Sequence, residues 1–516
     1  MIQPRGKVLG GSSALNLMVW DRASEYEYDE WEKLGNKGWN WNKMIRAMKE
    51  IENFLPSILY GKSGVGEGGP IQTLINRNIP SQQELYIPAM ENLGIKLNLE
   101  SLGGNPLGVM FQPTNIRNSD YKRSYSAHNP GFPSIAGDNL QIHTNTRVRK
   151  INLAPHDGKF IATGVALENG LTIHATKEVI LSAGTFLSPG LLELSGIGDE
   201  KVLSAAGIPH LVSLPGVGEN LQDHVGMTTS YQLLPNYTSF DILKYNTTFA
   251  AQQMTLYGAG EDSLYDYTAS GYVYANWKQV LGNDSALQSL AKQAASSPLT
   301  SSPFERTRAQ ILLNYLQDEK KNVPQLEVIF SDGYTGSKGY PQPSSPLYGQ
   351  GFFTLVASVQ HPFSLGSVHI TSPNISIQPA ISPNYLAHEY DIEAAVSAAK
   401  YLRKIANTTP LSLAWSSEYE PGLDVVGNGT DADTDAQWRE YVLNNAVTIY
   451  HPVGTCAMLP REQNGVVDAN LIVHGTENLR VVDASVIPVL ISAHPQTAVY
   501  GIAKIAAGRI VARWQG

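Results

Sequence analysis

The segment DIEAAVSAAKYLRKIA, residues 391–406, places Ile392, Ala395, Ala399, Leu402 and Ile405 three to four residues apart. That spacing draws one apolar face on an amphipathic helix. Residues 284–294 and 304–318 also have helical character, and HPQTAVYGIAKIAAGRIVARW at 494–514 reads as a closing helix. Between 140 and 183 the pattern becomes one of strands. LQIHTNTRVRKINLA, FIATGVALE and LTIHATKEVILSAG are separated by Asp157-Gly158 and Asn169-Gly170, dipeptides that supply the positive φ of tight hairpins. A small meander is therefore expected. Its third run ends in EVILSAG, a continuous apolar strand that stops at Ala183-Gly184, after which SPGLLELSGIG takes up helical spacing. GFFTLVASVQHP and GSVHI alternate and are punctuated by Gly, Pro and Asn, so they read as strands of an antiparallel sheet. LRVVDASVIPV reads as a buried strand and turn. Residues 236–330 are rich in Ser, Thr, Asn and Tyr and only weakly periodic. Without repeats or a low-complexity linker, the domains are expected to interleave along the chain.

A length of 516 residues points to two or three domains, on a prior of ~100–200 residues per domain. Apolar residues at 42 % and charged residues at 16 % fit a globular enzyme. With a net charge of −9 and no long Lys/Arg run, neither a nucleic acid nor an anionic membrane is an expected partner. No apolar stretch approaches the ~20 residues of a membrane span. The single Cys456 excludes an intramolecular disulfide framework and a cysteine metal cluster. N-x-S/T sequons at Asn236, Asn246, Asn283, Asn374, Asn407 and Asn428 lean towards the secretory pathway, although Met1 opens no signal peptide.

Three groups of residues could carry chemistry. The opening RGKVLGGSSALN pairs Gly10 with Gly11, letting backbone approach a ligand, and offers Ser12 and Ser13 as donors where a helix could start. An ordinary turn with an N-cap has the same sequence. Second, His451 in YHPVGTCAM and His494 in SAHPQTAV each precede a proline and close an apolar segment. Two imidazoles meeting at one point would suit a proton acceptor and its partner; a structural role and metal binding are the alternatives. Metal fits poorly by spacing, because neither histidine has a ligand-type residue at the usual interval. Third, Asp483 in RVVDAS ends an apolar strand. It reads either as a turn or N-cap residue or as a carboxylate meeting a polar cofactor at a strand's carboxyl end.

Taken together, GKVLGGSSALN at 6–16 resembles the first signature of the glucose-methanol-choline flavin oxidoreductases, and GTFLSPGLLELSGIG at 184–198 resembles the second. YHPVGTCAM and VVDASVIPVLISAHPQTA are similar to the family's catalytic segments. The resemblance implies an α/β (mixed α+β) fold. A Rossmann-like FAD-binding domain (1–50, 138–235 and 440–516) would interleave with a substrate domain (51–137 and 236–439) built on an antiparallel sheet with helices. It implies FAD-dependent oxidation of a small-molecule alcohol, with oxygen or a quinone as electron acceptor. His451 would be the general base while hydride passes to flavin N5, and His494 would help hold the substrate oxygen. Gly10, Gly11, Ser12 and Asn16 would line the isoalloxazine side, and Val148 would contact the adenine by its backbone. Ala183, Asp483, Ala484 and Thr497 would complete the flavin contacts. Tyr450 and the aromatic stretch YDYTASGYVYANW are candidate pocket wall and lid.

One family element is absent. The strand, G-x-G-x-x-G turn and helix that seat the FAD pyrophosphate do not occur here, since PGVGENLQDH and SGVGEGGP lack the third glycine and the βαβ setting. The unit is expected upstream of Met1. A non-redox member of the hydroxynitrile lyase type and an inactive remnant without FAD are the alternative readings.

Overall fold

The computed structural model describes residues 3–127, 139–266, 270–296 and 302–515. The boundary expected at 137–138 and residues 267–269 of the candidate lid lie outside them. At the centre of one half is a seven-stranded antiparallel sheet. Its path runs Trp415–Glu420, Val225–Leu233, Phe352–Val359, Leu326–Ser331, Gly271–Ala275, Gly108–Phe111, and Val447–Thr448 pairs with the start of Val225–Leu233.

Alternation divides the sheet into two faces with different tasks. Val225, Met227, Tyr231, Leu355, Ala357, Leu326, Val328, Phe330 and Val273 belong to one large buried core. The helix Glu389–Ala406 packs on that face, laying its alanines against Val225–Leu233 and Phe352–Val359. Glu389 and Asp391 in its first turn and Arg403 and Lys404 in its last complement the helix dipole. The opposite face carries Tyr272, Tyr274, Glu327 and Ile329 instead, with Val19 packed among them.

A second core joins the helices Glu25–Lys33, Trp41–Ile51 and Gln496–Gln515 to a parallel pair, Val179–Leu181 with Leu479–Val481. Gly501 lets the last helix cross Trp41–Ile51 closely, because a Cβ there would lie 2.9 Å from Met48 Cγ. Among the described residues Val179–Leu181 has this one partner strand, and Ile180 between two buried neighbours is 44 % exposed. No helix among the described residues is long and apolar enough to cross a membrane.

The periodic segments form where the sequence places them: Ser285–Ala295, Pro303–Gln317, Glu389–Ala406 and Gln496–Gln515 are helices. Other expectations need correction. The opening loop runs into a short 3-10 turn, Gly11–Ala14, and the first α-helix begins only at Glu25. The third run of the meander divides, with Thr172–His174 joining Val148–His156 and Lys159–Leu167 while Val179–Leu181 leaves for the parallel pair. Ser367–His369 pairs with Ala380–Ser382 in a separate two-stranded sheet. The weakly periodic 236–330 region hides two strands of the main sheet, which are buried on both faces and so lack alternation.

Leu355 is fully buried at the middle of the main sheet. Leu355→Ala is expected to cost about 2–5 kcal/mol, against about 0.5 kcal/mol or less for Leu413→Ala, which is largely exposed. Denaturant midpoints of the two variants check this.

Candidate active site

His451 and His494 come together although 42 residues lie between them, with ring centroids 4.4 Å apart and planes at 66°. Two different elements deliver them. His451 follows the short strand Val447–Thr448 and sits after Tyr450, which is held at φ 70°. Its backbone N–H donates to Asp223 Oδ1 at 2.8 Å. Asp223 Oδ2 accepts from the Thr448 and Tyr385 hydroxyls, each at 2.5 Å. His494 lies just ahead of the last helix, and its backbone N–H donates to Asp21 Oδ1 at 3.1 Å. Tyr450 itself is 49 % exposed, so it is not packed away as a core residue.

The surroundings tune the two rings in opposite directions. Burial pushes the His451 imidazole well below its ordinary range, and the nearby His494, His224 and Arg5 add to the effect. Burial works the same way on His494, but the carboxylates of Glu327 and Asp21 outweigh it, and its pKa ends raised. His494 Nε2 lies 2.8 Å from Glu327 Oε1. Glu327 is fully buried in the site-facing row of the sheet. Tyr274 Oη is 2.6 Å from Asp21 Oδ2 and 3.0 Å from Glu327 Oε1. A hydroxyl has one proton to donate, and Asp21, pushed up to about 6 chiefly by burial, can return the other.

His224, Glu327 and Asp21 went unread in the sequence. The ligand atoms of Asp21, Glu327 and His494 lie within 4.8 Å of one another, so the spacing argument against metal overlooked two carboxylates brought in from distant elements. In the structure those atoms are engaged with one another and with Tyr274. The signal for Glu327 was present: an acid inside the apolar strand Leu326–Ser331 is buried only when paired.

The other candidates gather along the edge of the second core. Gly10 and Gly11 have φ of 95° and 55°. Ser12 Oγ accepts from Gly6 N at 3.2 Å. Asn16 accepts from Arg123 Nη1 at 2.7 Å and donates to Gln496, tying the loop to the last helix. Val148 begins its strand half-buried opposite Leu167. Ala183 N donates to Ser188 Oγ at 3.1 Å, and Ala484 opens the turn Ala484–Val486. The Asp483 carboxylate is fully engaged: Oδ2 accepts from Gly184 N at 2.9 Å and Ser188 Oγ at 2.5 Å, and Oδ1 accepts from Ser485 N at 2.9 Å. It fastens the two turns that end the parallel strands, as the turn reading of this residue expects. A Cβ on Gly11 or Gly184 would meet no atom within 4 Å, and Thr497 Oγ1 is buried without a hydrogen bond among the described residues. An open backbone cradle with an orphaned hydroxyl fits a large polar ring ligand such as the isoalloxazine of FAD.

Family models described as GMC oxidoreductase match residues 1–226 and 362–503. A GMC oxidoreductase family protein of Malassezia sympodialis, Mala s 12, is 34 % identical over 530 residues, covering 98 % of this chain and 80 % of that protein. The patulin synthase of Aspergillus clavatus is 32 % identical over 517 residues, covering 97 % and 77 %. Among solved structures, an FAD-dependent oxidoreductase from Chaetomium thermophilum superposes with a TM-score of 0.87 at 25 % identity, over 99 % of this chain and 87 % of that one. A fungal aryl-alcohol oxidase gives 0.85 at 27 %, with the same coverage.

Glu327 ranks above Asp21 among the influences that raise His494. Glu327→Gln is therefore expected to lower the His494 pKa, and Asp21→Asn to lower it by less, both read by NMR titration of the histidine. A pKa raised on folding adds stability that is complete below the unfolded value and lost as pH climbs through the folded one. The thermal stability difference between wild type and Glu327→Gln should therefore shrink as pH is raised above about 6.5.

Proposed function

The chain belongs to the GMC oxidoreductase family and is an FAD-dependent oxidoreductase, and on that footing we propose how it oxidises the CH–OH group of a small-molecule alcohol. His451 takes the hydroxyl proton at Nε2, the ring nitrogen that makes no hydrogen bond among the described residues. A depressed pKa keeps this nitrogen unprotonated at neutral pH, as a general base requires. His494 is the complementary cation. With Nε2–H donated to Glu327, its Nδ1–H is left for the substrate oxygen, where it stabilises the negative charge that grows as the proton leaves.

FAD, when bound, supplies the hydride acceptor. Gly10, Gly11, Ser12 and Asn16 would line its ring, Val148 would meet the adenine by backbone, and Ala183, Ala484 and Thr497 would complete the cradle. Asp483 holds the two turns in place. Oxygen or a quinone would serve as the electron acceptor. The carrying observation is the opposed tuning of two imidazoles 4.4 Å apart: one is shifted towards the neutral form that accepts a proton, the other towards the cation that would hold an oxyanion. The aryl-alcohol oxidase among the structural neighbours makes benzylic alcohols the first substrates to assay.

The test is anaerobic mixing of the FAD-loaded protein with an alcohol panel, followed by steady-state turnover. Flavin bleaching with at least one alcohol is expected, and His451→Ala should lower kcat by ~10²–10⁴. Cleavage of a cyanohydrin without bleaching, or full turnover in His451→Ala, overturns the proposal.

A further inference from the structure

PGVGENLQDH ends in a third histidine, and it touches the first. His224 Nδ1 lies 2.8 Å from His451 Nδ1, with the rings edge to face at 77°. The other side of the His224 ring is also committed. Its Nε2 lies 3.1 Å from the backbone oxygen of Gln360, and the Ile491 carbonyl also faces the ring.

With His224 neutral, these contacts leave one consistent arrangement of protons. A carbonyl oxygen can only accept, so His224 Nε2 carries hydrogen. His224 is fully buried, and that burial together with His361 and His494 nearby holds it well below its ordinary pKa. A neutral imidazole has one N–H, which leaves His224 Nδ1 bare. The 2.8 Å contact between two Nδ1 atoms needs one proton, and His451 must provide it. With its proton on Nδ1, neutral His451 has its lone pair on Nε2.

We propose that His224 is the positioning residue that fixes the tautomer of His451, forming a relay in which the Gln360 carbonyl orients His224 and His224 Nδ1 accepts from His451. The inference rests on the reading of His451 as the base and adds what makes Nε2 the basic nitrogen. It also supplies a second effect. When His451 gains the alcohol proton, its Nδ1–H bond to His224 becomes charge-assisted and strengthens, so the imidazolium is stabilised as it forms. A neutral imidazole here does the orienting job that a buried carboxylate does in a serine-protease triad.

The surroundings are built to hold this contact. Asp223, next in sequence, accepts from the backbone N–H of both His224, at 2.9 Å, and His451, at 2.8 Å. Gln222 is fixed by the buried Arg308, whose Nε donates to Gln222 Oε1 at 2.8 Å, and Gln222 Nε2 donates to the Pro488 carbonyl at 2.9 Å. Neither end of the 222–224 segment is free to turn.

The test is long-range proton–nitrogen NMR of the full chain labelled with ¹⁵N-histidine, with His451→Gln and His224→Phe assigning the signals. The expected result is His451 protonated at Nδ1 and His224 at Nε2, with or without FAD. In His224→Phe, His451 should shift to the Nε2–H form. In His224→Asn, whose side-chain oxygen can accept, it should return to Nδ1–H. In the FAD-loaded enzyme, His224→Phe should lower kcat about tenfold to a hundredfold, less than loss of the base itself, with KM little changed and His224→Asn recovering most of the rate. His451 protonated at Nε2 in the wild-type protein overturns the proposal, and that measurement needs no variant to fold. Unchanged His451 tautomer in His224→Phe overturns it as well, as do equal losses in the Phe and Asn variants. Full turnover in His451→Ala would defeat the base assignment separately, leaving the NMR result to decide the relay.

Discussion

Two backbone pairings, Val225 with Thr448 and Gly226 with Val447, are the constraint on which the site depends. They join the chain just after Asp223-His224 to the chain just before His451, and so place two histidines from distant parts of the sequence in contact. The approach is close enough to require glycine: a Cβ on Gly226 would lie 2.8 Å from Ile449 Cγ2. Once the register is set, Asp223 has Thr448 and the His451 amide within reach. Because strand side chains alternate, a slip of one residue would turn His224 to the opposite face and break every contact that follows.

Burial is the common influence on all three imidazoles, and by itself it would leave all three neutral. What separates them is where acids can be placed. Glu327 can stand beside His494 because its strand is in the site-facing row, opposite Tyr274 across one pairing and Ser358 across the other. His451 and His224 meet each other instead of a carboxylate. Two imidazoles with opposite pKa shifts thus arise from one residue type at one place, distinguished by neighbours that the sheet supplies.

How much of this was legible follows from the same geometry. The two histidine segments and the long amphipathic helix are local patterns: the helix forms where its spacing places it, and the two histidines meet. His224 was in view, in a motif weighed only as a nucleotide loop and set aside for its missing glycine. Nothing local marks it, because its partner is contributed by a strand pairing more than two hundred residues away. Asp21 and Glu327 are hidden for the same reason, and an argument from sequence spacing cannot see them. Asp483 shows the converse. Its position at a strand end suits a ligand contact, and there Gly184 and Ser188 after the neighbouring strand take one oxygen while Ser485 of its own turn takes the other. The strands of 236–330 escaped because burial on both faces removes the alternation by which strands are read.

Gln360 links the two halves of the acid–base machinery. Its backbone carbonyl meets His224 Nε2, and its side-chain amide donates to Glu327 Oε2 at 3.2 Å. One fully buried residue at the end of Phe352–Val359 therefore touches both the ring against His451 and the carboxylate that raises the His494 pKa. Its own backbone N–H is held by the Gln325 carbonyl at 3.0 Å, so it is anchored by the sheet. Sites mounted on strands hold their geometry more closely than sites mounted on loops. His224 and Glu327, and through them His451 and His494, are thus registered to each other at one end of the same sheet.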